Sequence, residues 1–377
     1  MREYRIRPNE AGQRLDKFLR KLFPGAGASF LYRMMRKKNI LLNDGKCAGS
    51  ERLLEGDSVR VWFSEETIEK FSVAAGSKET ARDSAEKADL RKADAANPAS
   101  KKNRSKKTGS KKPDAGEIVP EECLSAFRSK ILYENADILI LDKPAGLLTQ
   151  RAHPEDLSVN ELLLSYLMES GALTEEDLRA FRPSAANRLD RNTSGLLLAG
   201  KTLSGLQVLS AHIRDRSIEK FYLCAVSGRI EAAGELRGFL RKNPRTNQVS
   251  VSEQRESNED MEIRTAWQPV ARGENRTLLR VRLITGRPHQ IRAHLRAAGH
   301  PVLGDPKYGD TRLNRELSAE YHLHRQLLHA YELHFPKTEE RPLAALSGRS
   351  IFAPVPPEFF RLFPGLRLPE DFRDRTP

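Results

Sequence analysis

Residues 121–377 predict an α+β domain around a large mixed or antiparallel sheet, and residues 1–73 predict a second, small α/β unit. Two observations carry this. Apolar runs of strand length outnumber helical runs in the larger segment, and most are joined by short connections, whereas a doubly wound parallel sheet needs a helix between successive strands. Residues 74–120 separate the two as a low-complexity stretch whose apolar residues are almost all Ala, with no aromatic. A chain of 377 residues is long enough for two domains, one with a substantial core.

In the small unit, Leu15, Phe18, Leu19 and Leu22 fall at helical spacing, and Pro24-Gly25-Ala26-Gly27 ends that helix. A second helix is expected to start near Ser29 as N-cap and to carry Arg33, Arg36, Lys37 and Lys38 at its end. Cations there suit the helix macrodipole and need mean no more than a solvated helix end. Asn43-Asp44-Gly45 reads as a turn after Ile40-Leu41-Leu42, and residues 58–63 alternate as a strand. Residues 74–120, in which seven of the thirteen residues from 100 to 112 are Lys or Arg with no acid, cannot bury enough surface to order themselves. They are expected to be disordered, either a basic tether or a plain solubilising linker. In the large domain, strands are expected over 138–141, 194–199, 219–226, 277–284 and 326–335, and helices over 159–168, 203–213 and 290–298 after Pro288.

A charged fraction of 31% and the lack of any long apolar run exclude a membrane-spanning protein, and the first twenty residues hold no signal-like stretch. Cys47, Cys123 and Cys224 are isolated, which argues against a disulfide framework or a thiolate zinc site and suits a reducing cytoplasm. The net charge of +13 points to a polyanionic partner. There is no P-loop and no Gly-x-Gly-x-x-Gly, so no nucleotide cofactor is expected. His322 and His324 form the only close pair of candidate metal ligands, but without an acid or Cys at a fitting distance no metal is expected.

The most informative string is Asn187-Arg188-Leu189-Asp190-Arg191-Asn192-Thr193-Ser194-Gly195. It sets one carboxylate between two arginines, just ahead of the apolar run Leu196-Leu197-Leu198-Ala199. A loop of this kind holds its side chains at the mouth of a buried strand, and an acid held there by guanidinium groups can act as nucleophile or base. The plainer reading is a turn aspartate paired to a surface arginine. The string resembles the signature of the RluA-type pseudouridine synthases, which isomerise uridine in RNA, with Asn187 where that family carries His. Leu141-Asp142-Lys143-Pro144-Ala145-Gly146, Glu219-Lys220-Phe221-Tyr222 and Thr285-Gly286-Arg287-Pro288-His289-Gln290-Ile291-Arg292 agree with further family segments in the expected order, continuing through Gly304-Asp305 to Tyr308-Gly309.

The resemblance implies an α+β catalytic domain with a cleft across its sheet, no cofactor, and a bacterial cytoplasmic enzyme, expected to be a monomer. It implies Asp190 as the catalytic carboxylate, Tyr222 against the target base as a proton-transferring group where the plainer reading is a core strand aromatic, and Arg287 as the partner of Asp190. Arg188 would help displace the flipped nucleotide. His289, Gln290 and Arg292 would contact RNA, with Arg292 and Arg296 four apart on a helix face that is otherwise simply exposed and basic. Asn187 can hydrogen-bond but cannot titrate, so no protonation role is expected of it. Residues 1–73 resemble the alpha-L RNA-binding domain first described in a ribosomal protein, through Gln13-Arg14-Leu15-Asp16-Lys17-Phe18-Leu19, Tyr32-Arg33, Arg36-Lys37 and Asn43. There Arg33, Arg36, Lys37 and Lys38 would track phosphates. The combination looks closest to the RluC branch, which acts on large-subunit ribosomal RNA. The competing classes are an RNA-binding assembly factor with a silent catalytic fold, and a glycosidase or nuclease. The last lacks a second carboxylate at a fitting spacing, whereas uracil leaves as a delocalised anion and one carboxylate can suffice.

Overall fold

The structure, a computed structural model, describes residues 1–7, 10–72, 119–242 and 248–368. The expected linker over 74–120 lies outside these residues except for its last two. The chain divides into two compact units, and residues Thr174–Phe181 group with the N-terminal one.

The N-terminal unit contains β1 (Arg2–Arg5), α1 (Leu15–Leu22), α2 (Ala28–Arg36), β2 (Ile40–Leu42), β3 (Gly45–Lys46), β4 (Ser58–Val61) and α3 (Glu65–Ser72). Its sheet runs β1-β4-β2-β3, all antiparallel. The β2–β3 turn forms as expected, with Asn43 and Asp44 both at positive φ, 48° and 61°, as a two-residue hairpin requires. Leu15, Phe18 and Leu19 of α1 meet Leu31 and Met35 of α2 and Val59 and Val61 of β4 in one core. The second helix starts two residues earlier than a Ser29 N-cap would place it. Gly27 is its N-cap, without a side-chain hydrogen bond, so Ser29 does not cap it. Arg33, Arg36, Lys37 and Lys38 are all exposed.

The larger unit contains α4 (Glu121–Arg128), β5 (Ile131–Glu134), β6 (Ile138–Lys143) and α5 (Val159–Glu169). Next in the chain, α6 (Glu175–Ala180) belongs to the first unit, opened by a capping box of Thr174 and Asp177. Then follow β7 (Ser184–Ala185), β8 (Ser194–Gly200), α7 (Leu203–Arg214), β9 (Glu219–Ser227), β10 (Gly234–Lys242), β11 (Val249–Ser252), β12 (Met261–Gly273), β13 (Arg276–Leu283), α8 (Gln290–Ala297), α9 (Thr311–Tyr321), β14 (Leu328–His334), β15 (Ser350–Phe352) and α10 (Pro357–Leu362).

These strands form one mixed sheet in the order β11-β10-β12-β13-β9-β14-β8-β6-β5, with β15 on β14 and β7 on β8. Only β14 and β8 pair in parallel among the described strands. The central strands β6, β8 and β9 are buried along almost their whole length, which is why they read as continuous apolar runs. The start of β8 explains the Thr-Ser-Gly ending of the signature. Gly195 has a φ of 104°, and a Cβ there would lie 2.1 Å from the Ala330 carbonyl oxygen of β14, so only glycine allows the parallel strands to meet. Ser194 Oγ lies 2.8 Å from His329 Nδ1 across the same pair.

Candidate active site

The loop from β7 to β8 carries Asp190 and is laced in place by the segment after β6. The Lys143 side chain is fully buried, and its Nζ donates to the carbonyls of Pro144 (2.9 Å), Leu147 (2.8 Å) and Arg191 (3.2 Å). Burial pushes this amine down to about 7, with the Asp190 and Asp142 carboxylates pulling the other way. Thr149 Oγ1 donates to the Leu189 carbonyl and accepts from the Leu189 N–H, at 3.0 and 3.2 Å. Asn187 turns its side-chain carbonyl to the Leu198 N–H of β8, at 2.9 Å, so it acts as a strand-edge hydrogen-bond acceptor.

Asp190 lines a cleft of about 500 Å³ together with Arg188, Lys220, Tyr222, Arg287 and His289. That is room for a nucleotide. The expected partner of the acid is corrected. Arg292, not Arg287, donates to Asp190 Oδ2, at 2.7 Å. The same guanidinium donates through Nε and Nη2 to the two oxygens of Asp305, at 2.7 and 2.8 Å, and Asp305 is fully buried. Asp305 is itself fixed by the N–H groups of Lys307 (2.8 Å) and Tyr308 (3.0 Å). Burial opposes charge on Arg292, but the hydrogen bonds and charges of Asp305 and Asp190 outweigh it and hold the guanidinium protonated. Arg287 is exposed at the cleft and has no side-chain hydrogen bond or ion pair among the described residues.

The arginines flanking Asp190 in sequence do not hold it either. Arg191 Nε donates to the Gly146 carbonyl at 3.1 Å, and Arg188 is exposed at the cleft mouth. Two expected RNA-contacting side chains are internal. Arg292 is 5% exposed, so it cannot share an outward cationic face with Arg296, which donates to the carbonyls of Tyr308 and Gly309. Gln290 is 2% exposed and fully used. Its Oε1 accepts from Thr285 Oγ1 and the Arg287 N–H, and its Nε2 donates to the Arg264 carbonyl and Thr265 Oγ1.

His289, the N-cap of α8 at a φ of 55°, does face the cleft. Its Nε2 is 4.0 Å from Asp190 Oδ1, and its Nδ1 meets the Tyr308 hydroxyl at 2.9 Å. Burial lowers its affinity for a proton, which favours the neutral ring. Tyr222, on β9, is buried, and burial together with the Asp190 charge raises its hydroxyl, so it stays a phenol. In the sequence, Asp305 and Tyr308 stand out only as part of a longer family match. The signal for them is a lone acid beside Gly304, after the apolar turn Pro301-Val302-Leu303.

The arrangement offers one carboxylate held at a fixed angle by a clamped guanidinium, a phenol beside it, and no second acid within hydrogen-bonding reach of the first among the described residues. A family model described as RNA pseudouridylate synthase matches residues 137–297, a span that contains Asp190, Tyr222 and Arg292. The chain is 30% identical over 375 residues to ribosomal large subunit pseudouridine synthase C of Pasteurella multocida (strain Pm70), covering 96% of this chain and 93% of that one. It is 31% identical over 342 residues to the protein of the same name from Escherichia coli (strain K12), covering 88% and 87%. The solved structure of human RNA pseudouridylate synthase domain containing 4 shares the fold, with a TM-score of 0.50 at 20% identity over 64% of this chain and 95% of that one. This chain belongs to the RNA pseudouridine synthase family.

Proposed function

We propose that this protein isomerises uridines of large-subunit ribosomal RNA, with Asp190 as the group that attacks or deprotonates the ribose. The observation that carries the reading is the Asp190 carboxylate at the cleft wall, held by Arg292, whose guanidinium Asp305 fixes in turn, with Tyr222 lining the same cleft. Breaking the bond from uracil N1 to C1′ leaves electron deficiency on the sugar and an anion on the base. A carboxylate can meet the first by bonding to C1′ or by removing the C2′ proton. Arg292 aims one carboxylate oxygen, leaving the other free for that step. The base then turns and C5 bonds to C1′ as the ester to Asp190 breaks or, on the other route, as C2′ regains its proton; the C5 proton is lost to solvent and N1 takes one up. Tyr222, kept as a phenol, suits packing against the base and donating a hydrogen bond better than taking a proton.

Arg188, exposed and unpaired at the cleft among the described residues, is suited to occupy the space the uridine vacates when it leaves its stack. Arg33, Arg36, Lys37 and Lys38 are suited to phosphates. The choice of ribosomal RNA is supported by relatives named for it over about nine-tenths of their length. A cytoplasmic setting is supported by three free cysteines. No helix among the described residues is long and apolar enough to cross a membrane.

The test maps pseudouridines across total RNA, by carbodiimide modification and primer extension, in cells lacking the protein and complemented with the wild type or with Asp190→Asn. Sites in large-subunit RNA should disappear on deletion and return with the wild type alone. An unchanged map would overturn the reading.

A further inference from the structure

Only 8% of Lys220 is exposed, yet its amine makes no hydrogen bond or ion pair among the described residues. It precedes Tyr222 by two positions on β9, so both side chains project from the same face of the strand, into the same cleft. One strand repeat puts their Cα atoms roughly 7 Å apart. The amine lies 4.0 Å from where a Cβ on Gly286 would stand, against the backbone of the loop that carries Arg287. Arg216 and Arg287 are both exposed and without an ion pair among the described residues. Burial, and after it the Arg216 guanidinium, disfavour the Lys220 ammonium.

The side chain is largely covered, but its amine opens on the cleft beside the charge of Arg216, a setting that favours an anion over a second cation. The neighbouring acids are engaged elsewhere. Glu219, on the opposite face of β9, pairs with Arg282, and Asp215 accepts from Ser217. Asp190 is committed to Arg292. The counter-charge that the protein does not supply can come from the substrate, and in RNA the full negative charges are phosphodiesters.

We infer that Lys220, with Arg287 at the rim, forms a binding site for an RNA phosphodiester next to the target uridine. The pairing becomes complete only when the nucleotide has entered the cleft, so Lys220 reports on the flipped state rather than on surface docking. A donor to a uracil carbonyl would be the alternative role for the same amine. The local excess of cations favours the full anion.

This inference rests on the reading of the cleft as the uridine-isomerising site, and one experiment separates the two. Total RNA from cells lacking the protein, labelled with tritium at uracil C5, releases tritium to water when C5 bonds to C1′. Wild type, Lys220→Met and Lys220→Arg are compared across a salt series, with thermal melting as a check on folding. Lys220→Met is expected to raise KM about tenfold and to reduce the slope of log KM against log salt by about 0.7, the value for one phosphate neutralised on a single strand. Lys220→Arg should keep the slope. A Lys220→Met variant that lowers the rate at saturating RNA with an unchanged slope would overturn the phosphate assignment in favour of the base. One that changes only the melting temperature would overturn it in favour of a structural role. An inactive wild type would overturn the reading of the cleft and this inference together.

Discussion

Arg292 and the cluster of Arg33, Arg36, Lys37 and Lys38 carry the same charge under opposite conditions. The first is buried, and three of its N–H groups are assigned to two carboxylates. The others are exposed at a helix end, where Arg33 stands 5.7 Å above the Phe30 ring and Arg36, Lys37 and Lys38 have no ion pair among the described residues. A clamped guanidinium in a low-dielectric wall has one geometry and acts on one atom. A solvated cluster has many geometries and acts on a field of phosphates. Mutation should therefore read out as reduced rate in the first case and as salt-dependent affinity in the second.

The largest expected effect lies at the atom Arg292 serves. Asp190→Asn should lower tritium release on the order of 10³-fold or more while RNA binding by filter retention stays within about threefold, since the amide cannot attack or take a proton. A parallel loss of binding would mean that the acid holds the fold or the RNA instead.

Arg292→Lys comes next, because an ammonium cannot fork onto Asp305 and still reach Asp190. A fall in rate of about 10² is expected, well beyond that of Arg287→Lys. Equal losses in the two variants would return Arg287 to the role of partner. Arg292→Gln leaves Asp305 buried and unpaired, and denaturant melts should show a cost of roughly 3–5 kcal/mol.

Changing Arg33, Arg36, Lys37 and Lys38 together to Gln should weaken RNA binding about 10- to 100-fold at about 0.1 M salt and flatten the salt dependence by roughly 0.7–0.9 for each phosphate no longer neutralised. An effect on rate at saturating RNA as large as the effect on affinity would erase the distinction between the two kinds of cation.

The smallest effect concerns stability near the buried site. Burial pushes His294 down to about 4 and His329 down to about 3, below the 6.5 of a free imidazole. Between those values the unfolded chain binds protons that the folded one refuses. Stability is therefore full above about pH 6.5 and falls as pH drops toward about 4, by about 1.4 kcal/mol per pH unit for each histidine. His294→Gln should flatten this acid limb by up to one proton in a urea-melt series. An unchanged slope would show that the ring is not buried neutral.

What is legible in the sequence follows burial. Strands β6, β8 and β9 are covered on both faces, so they stand out as apolar runs, and α7 between them ends within a residue of where its periodicity stops. The β10, β11 and β12 strands do not stand out. Along β10, Gly-Glu-Leu-Arg-Gly-Phe-Leu-Arg-Lys is only half buried and carries four charges, and β12 contains Pro269. That proline sits where the β12–β13 register shifts, between Pro269 and Ala271, the kind of bulge that tolerates a residue without an N–H. Sequence patterns weigh such residues against a strand, because the pairing that accommodates them is not local.

By itself the sequence determined the family, the identity of the lone acid, and the loop that carries it into β8, because those depend on short contiguous strings. Which arginine serves Asp190 was decided only by the tertiary structure. Arg287 and Arg292 lie five residues apart across the start of α8, and the turn of that helix sends the second inward and leaves the first in solvent. The choice further depends on Asp305, thirteen positions beyond Arg292, which must fold back to orient the guanidinium. Gln290 turns inward for the same reason. A polar residue in the first turn of a helix can face RNA or close the hydrogen bonds of Thr265 and Arg264, and only the packing of α8 on β12 chooses between them.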